Sequence, residues 1–265
     1  MKTLQSLTDL ISLQGKWALI SGAATGIGRA IAHRFAEAGA KLHLVDLDAA
    51  ELARAERELR PVAAALHTYT VDLSNKSEID QLWAGLGTSS PEILVNNAGI
   101  YPFRHFVDLD EAFLAKVMDT NLNSVTWMCH QMITSRRKLG GVVINLGSIE
   151  AVQPFKEDLA IYSVSKAGVS ALTRALAREH ARHGFRINAI LPGGIITSGT
   201  RRAARRLLSF KFGLLKDGWN FRQRLPAGRF GLADEVARMA LVLASDLASY
   251  VHGAVIPIDG GFLAA

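Results

Sequence analysis

The chain has 265 residues, 49% hydrophobic and 20% charged. That balance excludes a disordered chain and suits one α/β domain with a large core. The net charge of +6 is local: Arg201 to Arg224 holds eight basic residues against one acid, so the rest nets −1 and a general nucleic-acid-binding field is not expected.

Residues 1–14 carry Asp9 and no compact apolar stretch, and read as a short leader packing on the domain or a neighbour rather than as a secretion signal. From residue 16, short apolar runs alternate with helical patterns. "WALISG" and "KLHLVD" read as strands flanking a helix through "GRAIAHRFAEAG", which closes at Gly39. "ELARAERELR" is a second helix ended near Pro61, "LHTYTVD" a strand, "SEIDQLWAGL" a helix and "EILVNNAG" a strand. One long helix is predicted through "FLAKVMDTNLNSVTWMCHQMITSRRK", then a strand "GVVINLGS", a helix carrying Tyr162 and a strand "RINAILPGG". A helix "DEVARMALVLASD" and a strand "VIPIDGG" close the chain. Nearly all-apolar strands separated by helices imply a parallel sheet covered on both faces. Right-handed crossovers then give a single doubly wound, Rossmann-like α/β domain over residues 1–265. No run reaches the roughly 18 apolar residues of a membrane span. The single cysteine, Cys129, sits in an apolar helical pattern as a buried thiol, and fits a reducing, cytoplasmic compartment. The eight histidines form no HExxH or CxxC pattern, so no metal site is expected.

"SGAATGIGRA" follows the first strand and opens the first helix, with Gly22, Gly26 and Gly28 spaced Gly-x-x-x-Gly-x-Gly around Thr25. Glycines let the backbone approach a pyrophosphate, and a helix N-terminus offers it free N–H groups. Asp46 ends the second strand 18 residues after Gly28, near the spacing at which an acid takes a ribose 2′-hydroxyl. Its carboxylate would repel a 2′-phosphate, and neither Thr25 nor Leu47 supplies a compensating cation, which favours NAD over NADP. A strand-end cap is the plainer role for Asp46. Asp72, in "TVDLS", ends the third strand where an adenine would lie, and "DLSNKSE" would also serve as a helix cap. In "NNAG", amide side chains tie down the fourth strand end and Gly99 clears space beside the cofactor.

Tyr162 and Lys166 lie four residues apart in "IYSVSKAG", on one helix face. A free phenol of pKa roughly 10 is a poor base near neutrality. An ammonium one turn away stabilises the phenolate and lowers that value, making Tyr162 the acid/base and Lys166 its electrostatic partner in alcohol–ketone chemistry. Ser148, at the end of the fifth strand, is placed to orient the reacting oxygen. Asn121, polar within an apolar helix, is placed to hold a water linking Lys166 to solvent.

Together "SGAATGIG", "NNAG", Asn121, Ser148, "YSVSK" and "LPGGIIT" resemble the short-chain dehydrogenase/reductase family, over about residues 14 to 265. The resemblance implies a seven-stranded sheet, an Asn121–Ser148–Tyr162–Lys166 tetrad and a homotetramer. It also implies cofactor contacts from Gly22, Ile27, Asp46, Asp72, Leu73 and Asn97, with Ile195 and Thr197 at the nicotinamide end. Two departures stand out: Ser21 replaces the usual Thr, and Ser148 and Tyr162 are 14 apart where 13 is more common.

Substrate selection in such a fold lies in the loops after the strands. Candidates are Tyr101, Phe103 and His105 after "NNAG", Glu150 and Phe155 after Ser148, and a lid over residues 193–230. Glu150 would bind a hydroxyl or an amine, or else make a salt bridge or face solvent; His105 reads more simply as an ordinary loop residue. Arg201, Arg202, Arg205 and Arg206 repeat at helical spacing, as a solvated face or as a cationic lid for an anionic substrate. The expectation is an NAD-dependent oxidoreductase of secondary alcohols, with polyols, sugars or hydroxy acids as substrates and neither nucleic acid nor membrane as partner. The alternatives are an NADPH-dependent 3-oxoacyl-type ketoreductase and a non-enzymatic dinucleotide sensor.

Overall fold

A computed structural model describes residues 4–197 and 222–265. The apolar runs form β1 (Trp17–Ser21), β2 (Lys41–Asp46), β3 (Leu66–Thr70), β4 (Ile93–Asn96), β5 (Gly141–Leu146), β6 (Phe185–Pro192) and, last in the chain, β9 (Val255–Ile258). They pair in parallel as one seven-stranded sheet in the order β3-β2-β1-β4-β5-β6-β9. The expected α/β architecture is therefore present. The order reverses between β1 and β4, which opens a crevice at the carboxyl ends of those strands. A further short parallel pair, β7 (Ile195–Ile196) with β8 (Gly231–Leu232), was not legible as strands.

The helices are α1 (Leu7–Ile11), α2 (Gly26–Glu37), α3 (Ala49–Leu59), α4 (Lys76–Gly85), α5 (Glu111–Met118), α6 (Ser124–Ser135), α7 (Ala160–His180) and α8 (Ala233–Ala244). Asp48, Asn75 and Asp110 cap α3, α4 and α5 through side-chain oxygens that accept backbone N–H bonds, as residues of their type do. Hence Asn75, not Asp72, is the cap within "DLSNKSE".

Both sheet faces are covered. Ile20, Leu44, Phe35 of α2 and Val236 of α8 pack on one side, and Leu19, Leu94, Met132 of α6 and Val169 of α7 on the other. Across the first layer, Arg34 Nε donates to Asp234 Oδ1 at 2.6 Å, joining α2 to α8. The end of the leader is anchored there too, because Leu13 is fully buried and its N–H donates to the Ala38 carbonyl. Cys129 is buried, and burial pushes its thiol up to about 12. No helix among the described residues is long and apolar enough to cross a membrane.

The single long helix predicted through residues 113–138 is two helices joined by a π turn, Asp119–Asn123. Within that turn the Asn121 amide bonds the backbone of Ile100, beyond β4. The basic stripe, Arg201, Arg202, Arg205 and Arg206, and most of the expected 193–230 lid lie outside the described residues.

Candidate active site

At the end of β1, Ser21 Oγ accepts from the N–H groups of Asn97 and Ala98 at 3.0 and 3.1 Å. Asn97 Nδ2 donates back to the carbonyls of Ser21 and Gly22 at 3.0 and 2.9 Å. The Ser that departs from the usual Thr thus still knots the glycine loop to the end of β4. Gly22 has φ +62°, and a Cβ there would lie 2.7 Å from Asn97 Nδ2; one on Gly28 would lie 2.1 Å from the Gly22 carbonyl oxygen. Thr197 packs against the same loop, its Cβ 3.3 Å from where a Cβ on Gly26 would stand.

Unlike α3, α4 and α5, helix α2 starts without a side-chain cap: Thr25 makes no capping bond, and the first turn, with Ile27, holds no acid. Its leading N–H groups face the crevice mouth with the positive end of the helix dipole. Asp46 stands beside them, accepting from Ala24 N at 2.9 Å and from Asp48 N at 3.1 Å. The carboxylate is a strand-end cap and is fixed by that role next to the loop. An uncapped helix start, a loop with no room for side chains and a held carboxylate fit a dinucleotide. Asp72 accepts from Ser74 N at 2.9 Å and Ser74 Oγ at 2.6 Å in a tight turn, and Leu73 is buried against the core. Ile195 pairs with Gly231 in the β7–β8 ladder.

Deeper in the crevice, α7 brings Tyr162 and Lys166 to the end of β5. Lys166 Nζ donates to the Leu146 carbonyl at 2.8 Å and lies 6.0 Å from the centre of the Tyr162 ring. Burial lowers the Lys166 ammonium to about 8. The expected lowering of the phenol by Lys166 is not what the protein alone produces. Burial pushes Tyr162 up to about 12 and the charge of Glu150 acts in the same direction, while the Ser148 hydroxyl pulls it down.

Asn121 is fully buried and locked: its Oδ1 accepts from Ile100 N at 2.8 Å, and Nδ2 donates to the Ile100 carbonyl at 2.9 Å and Ser165 Oγ at 3.3 Å. Both hydrogens of its amide are thus engaged, while Oδ1 keeps a second lone pair. A Cβ on Gly99 would stand 3.1 Å from Asn121 Oδ1 and 3.4 Å from Lys166 Nζ, so Gly99 lies where the two side chains meet. The partners Ile100 and Leu146 act through backbone atoms, which leave no mark in a sequence.

The substrate candidates divide. Tyr101 meets Tyr162 edge-on, ring centres 4.6 Å apart, and Phe103 at 5.0 Å. Burial and the nearby charge of Glu150 raise the Tyr101 phenol. Glu150 is 1% exposed, so it does not face solvent. His105 instead turns to Asp158, Nδ1 to Oδ1 2.8 Å, and Arg104 N donates to the Asp158 carbonyl at 2.9 Å. Asp158 holds a left-handed φ of 68° there, and the two loops bordering Tyr162 are joined. Phe155 packs edge-on against Phe262 at 5.4 Å, in a small cluster with Ile149, Leu191 and Leu225. Among the described residues, no group of three or more His, Cys, Asp or Glu side chains is placed to hold a metal ion.

A family model described as enoyl-(acyl carrier protein) reductase matches residues 22–263. The chain belongs to the short-chain dehydrogenase/reductase family. It is 36% identical over 253 residues to a galactitol 2-dehydrogenase (L-tagatose-forming) of Cereibacter sphaeroides, covering 94% of this chain and 96% of that one. It is 33% identical over 261 residues to a 2-dehydro-3-deoxy-D-gluconate 5-dehydrogenase of Bacillus subtilis, covering 97% and 98%. The fold superposes with a TM-score of 0.89 on L-sorbose reductase of Gluconobacter frateurii complexed with NADPH and L-sorbose, at 28% identity and 97% and 99% coverage. The short-chain dehydrogenase is thus an oxidoreductase of CH–OH and keto groups that uses a nicotinamide dinucleotide.

Proposed function

We propose that this enzyme uses NAD to oxidise a secondary alcohol, or to reduce the matching ketone, of polyol, sugar or hydroxy-acid type. The observation that carries the reading is the phenol of Tyr162 set between the Ser148 hydroxyl and the buried Lys166 ammonium, at the same strand ends as the uncapped start of α2. The nicotinamide, when bound, supplies the site that gives or accepts hydride. Ser148 holds the substrate oxygen by a hydrogen bond, and Tyr162 gives that oxygen a proton in reduction and removes it in oxidation. Lys166 puts a positive charge behind the phenol and favours its ionised form. Asn121, within the π turn, would hold the water that links Lys166 to solvent.

Gly22, Thr25, Gly26, Ile27, Gly28, Asp46, Asn97, Gly99 and Thr197 form the proposed dinucleotide bed, with Asp72, Leu73 and Ile195 at its edges. Asp46 supports NAD, because a second anion beside its carboxylate would be repelled. The NADPH of the sorbose reductase favours the phosphorylated cofactor and is the specific observation on the other side. A single-domain homotetramer in the cytoplasm, without nucleic-acid or membrane partners, completes the reading. Tyr162→Phe is expected to lower turnover by about 10²- to 10⁴-fold while NADH fluorescence still reports binding. Near-normal turnover in that variant would remove Tyr162 from the reaction.

A further inference from the structure

Glu150 is a carboxylate with unfinished hydrogen bonding. It sits two residues beyond Ser148, in a 3-10 turn from Ile149 to Ala151, and its own N–H donates to Ser148 Oγ at 3.2 Å. One carboxylate oxygen, Oε2, accepts from Phe155 N at 3.3 Å. The other, Oε1, is buried and has no hydrogen-bond partner among the described residues. Hydrogen bonds from the Phe155 N–H, the Ser163 hydroxyl and the Lys156 N–H favour the charged form, as does the Lys156 charge, but burial dominates and raises the carboxyl above the usual range. The bond from its N–H to Ser148 Oγ sets Glu150 beside the serine proposed to hold the reacting oxygen, and its charge also raises the phenols of Tyr162 and Tyr101.

A buried acceptor without a donor is costly, and a site keeps one where a ligand supplies the missing donor. The required donor has to lie next to the oxygen held by Ser148 and Tyr162. A hydroxyl on the carbon adjacent to the reacting carbinol meets that condition. A carboxylate on the same carbon does the opposite, adding a second anion beside the first in a poorly solvated place.

We propose that Glu150 Oε1 accepts a hydrogen bond from the hydroxyl neighbouring the reacting carbinol, making this enzyme selective for neutral vicinal diols, as in polyols and sugars, over hydroxy acids. The inference rests on the oxidoreductase reading above and narrows its substrate class. Both relatives named above act on a carbinol with a hydroxyl-bearing neighbour, C2 of galactitol and C5 of 2-dehydro-3-deoxy-D-gluconate, whose carboxylate is remote from C5.

Three alcohols of nearly one shape test it: 1,2-propanediol, 2-butanol and lactate differ only in bearing a hydroxymethyl, an ethyl or a carboxylate group beside the same carbinol. With wild-type enzyme and NAD, kcat/KM is expected to be highest for the diol, lower for 2-butanol by about tenfold, or about 1.4 kcal/mol, and lowest for lactate. In Glu150→Gln, the diol-to-butanol and diol-to-lactate ratios are each expected to fall by about tenfold. Cooperative melting and NADH fluorescence check that the variant is folded; if it is not, the wild-type ranking decides alone. Preference for lactate, equal rates on diol and 2-butanol, or a proportional loss on all three in a folded Glu150→Gln would overturn the proposal and leave the oxidoreductase reading standing. No turnover of any of the three, or of their ketones with NADH, while NADH still binds, would overturn both.

Discussion

On the glycine-loop side of the crevice the polar side chains are already tied to backbone: Ser21 to Asn97 and Ala98, Asn97 to Ser21 and Gly22, Asp46 to Ala24 and Asp48. On the side bordered by residues 100–105 and 148–159, Tyr101 and Phe103 are 44% and 45% exposed, and Glu150 keeps a buried oxygen without a partner. The first wall is complete before anything binds; the second is finished by what enters. That difference suits a cofactor shared by many reactions and a substrate particular to one.

If the first wall is a single knotted unit, one methyl group should damage it broadly. Gly28→Ala puts a Cβ against the Gly22 carbonyl, where backbone has to move. We expect a loss in NADH affinity of about 100-fold, and a destabilisation of about 1–3 kcal/mol for the overpacking, measured by fluorescence titration and urea melting. Unchanged binding would mean that the loop yields and that the two walls are less different than they look. At the seam between them, the pH profile of alcohol oxidation reads Tyr162. A phenol at about 12 is protonated near neutrality, so its ionised fraction grows about tenfold per pH unit, and kcat/KM should climb from pH 6 to 8. The climb should flatten above about pH 8, where Lys166 loses its proton and its support for the phenolate. A profile level from pH 6 to 9 would place the base elsewhere. The smallest effect on the reaction is expected from Asp46→Asn, which drops the charge and keeps one of the two backbone bonds. The NAD-to-NADP ratio of kcat/KM should fall by about 3- to 10-fold, with a destabilisation of about 1 kcal/mol for the lost bond, and a constant ratio would end the use of Asp46 as the discriminator.

Much of the first wall was legible in the sequence and little of the second, for a physical reason. Glycine spacing, a strand-end acid and a YxxxK pair are local patterns, and the apolar strands that place them leave a clear periodicity. The π turn at Asn121 was hidden because the residues around it keep a helical rhythm, while the partner of its amide, Ile100, lies 21 residues away. Glu150 looked as suited to solvent as to a pocket, since its burial is decided by how residues 148–159 fold over it. His105 and Phe155 are near the site in sequence, yet their partners Asp158 and Phe262 draw them aside. The four-residue spacing brings Lys166 to within 6.0 Å of the Tyr162 ring centre, but the burial that raises the phenol and lowers the ammonium cannot be seen in a spacing.

The bridge from Arg34 to Asp234 has a consequence for how the molecule is made. Helix α2, whose first turn is open to an anion, is braced at its far end by α8, a segment translated about 200 residues later. The β8 strand leading into α8 also grips β7, next to Thr197 and the glycine loop. A growing polypeptide therefore has to bring α8 out of the ribosome before its nucleotide cradle gains its last support. Coenzyme added during synthesis should protect the chain from protease only after α8 has emerged.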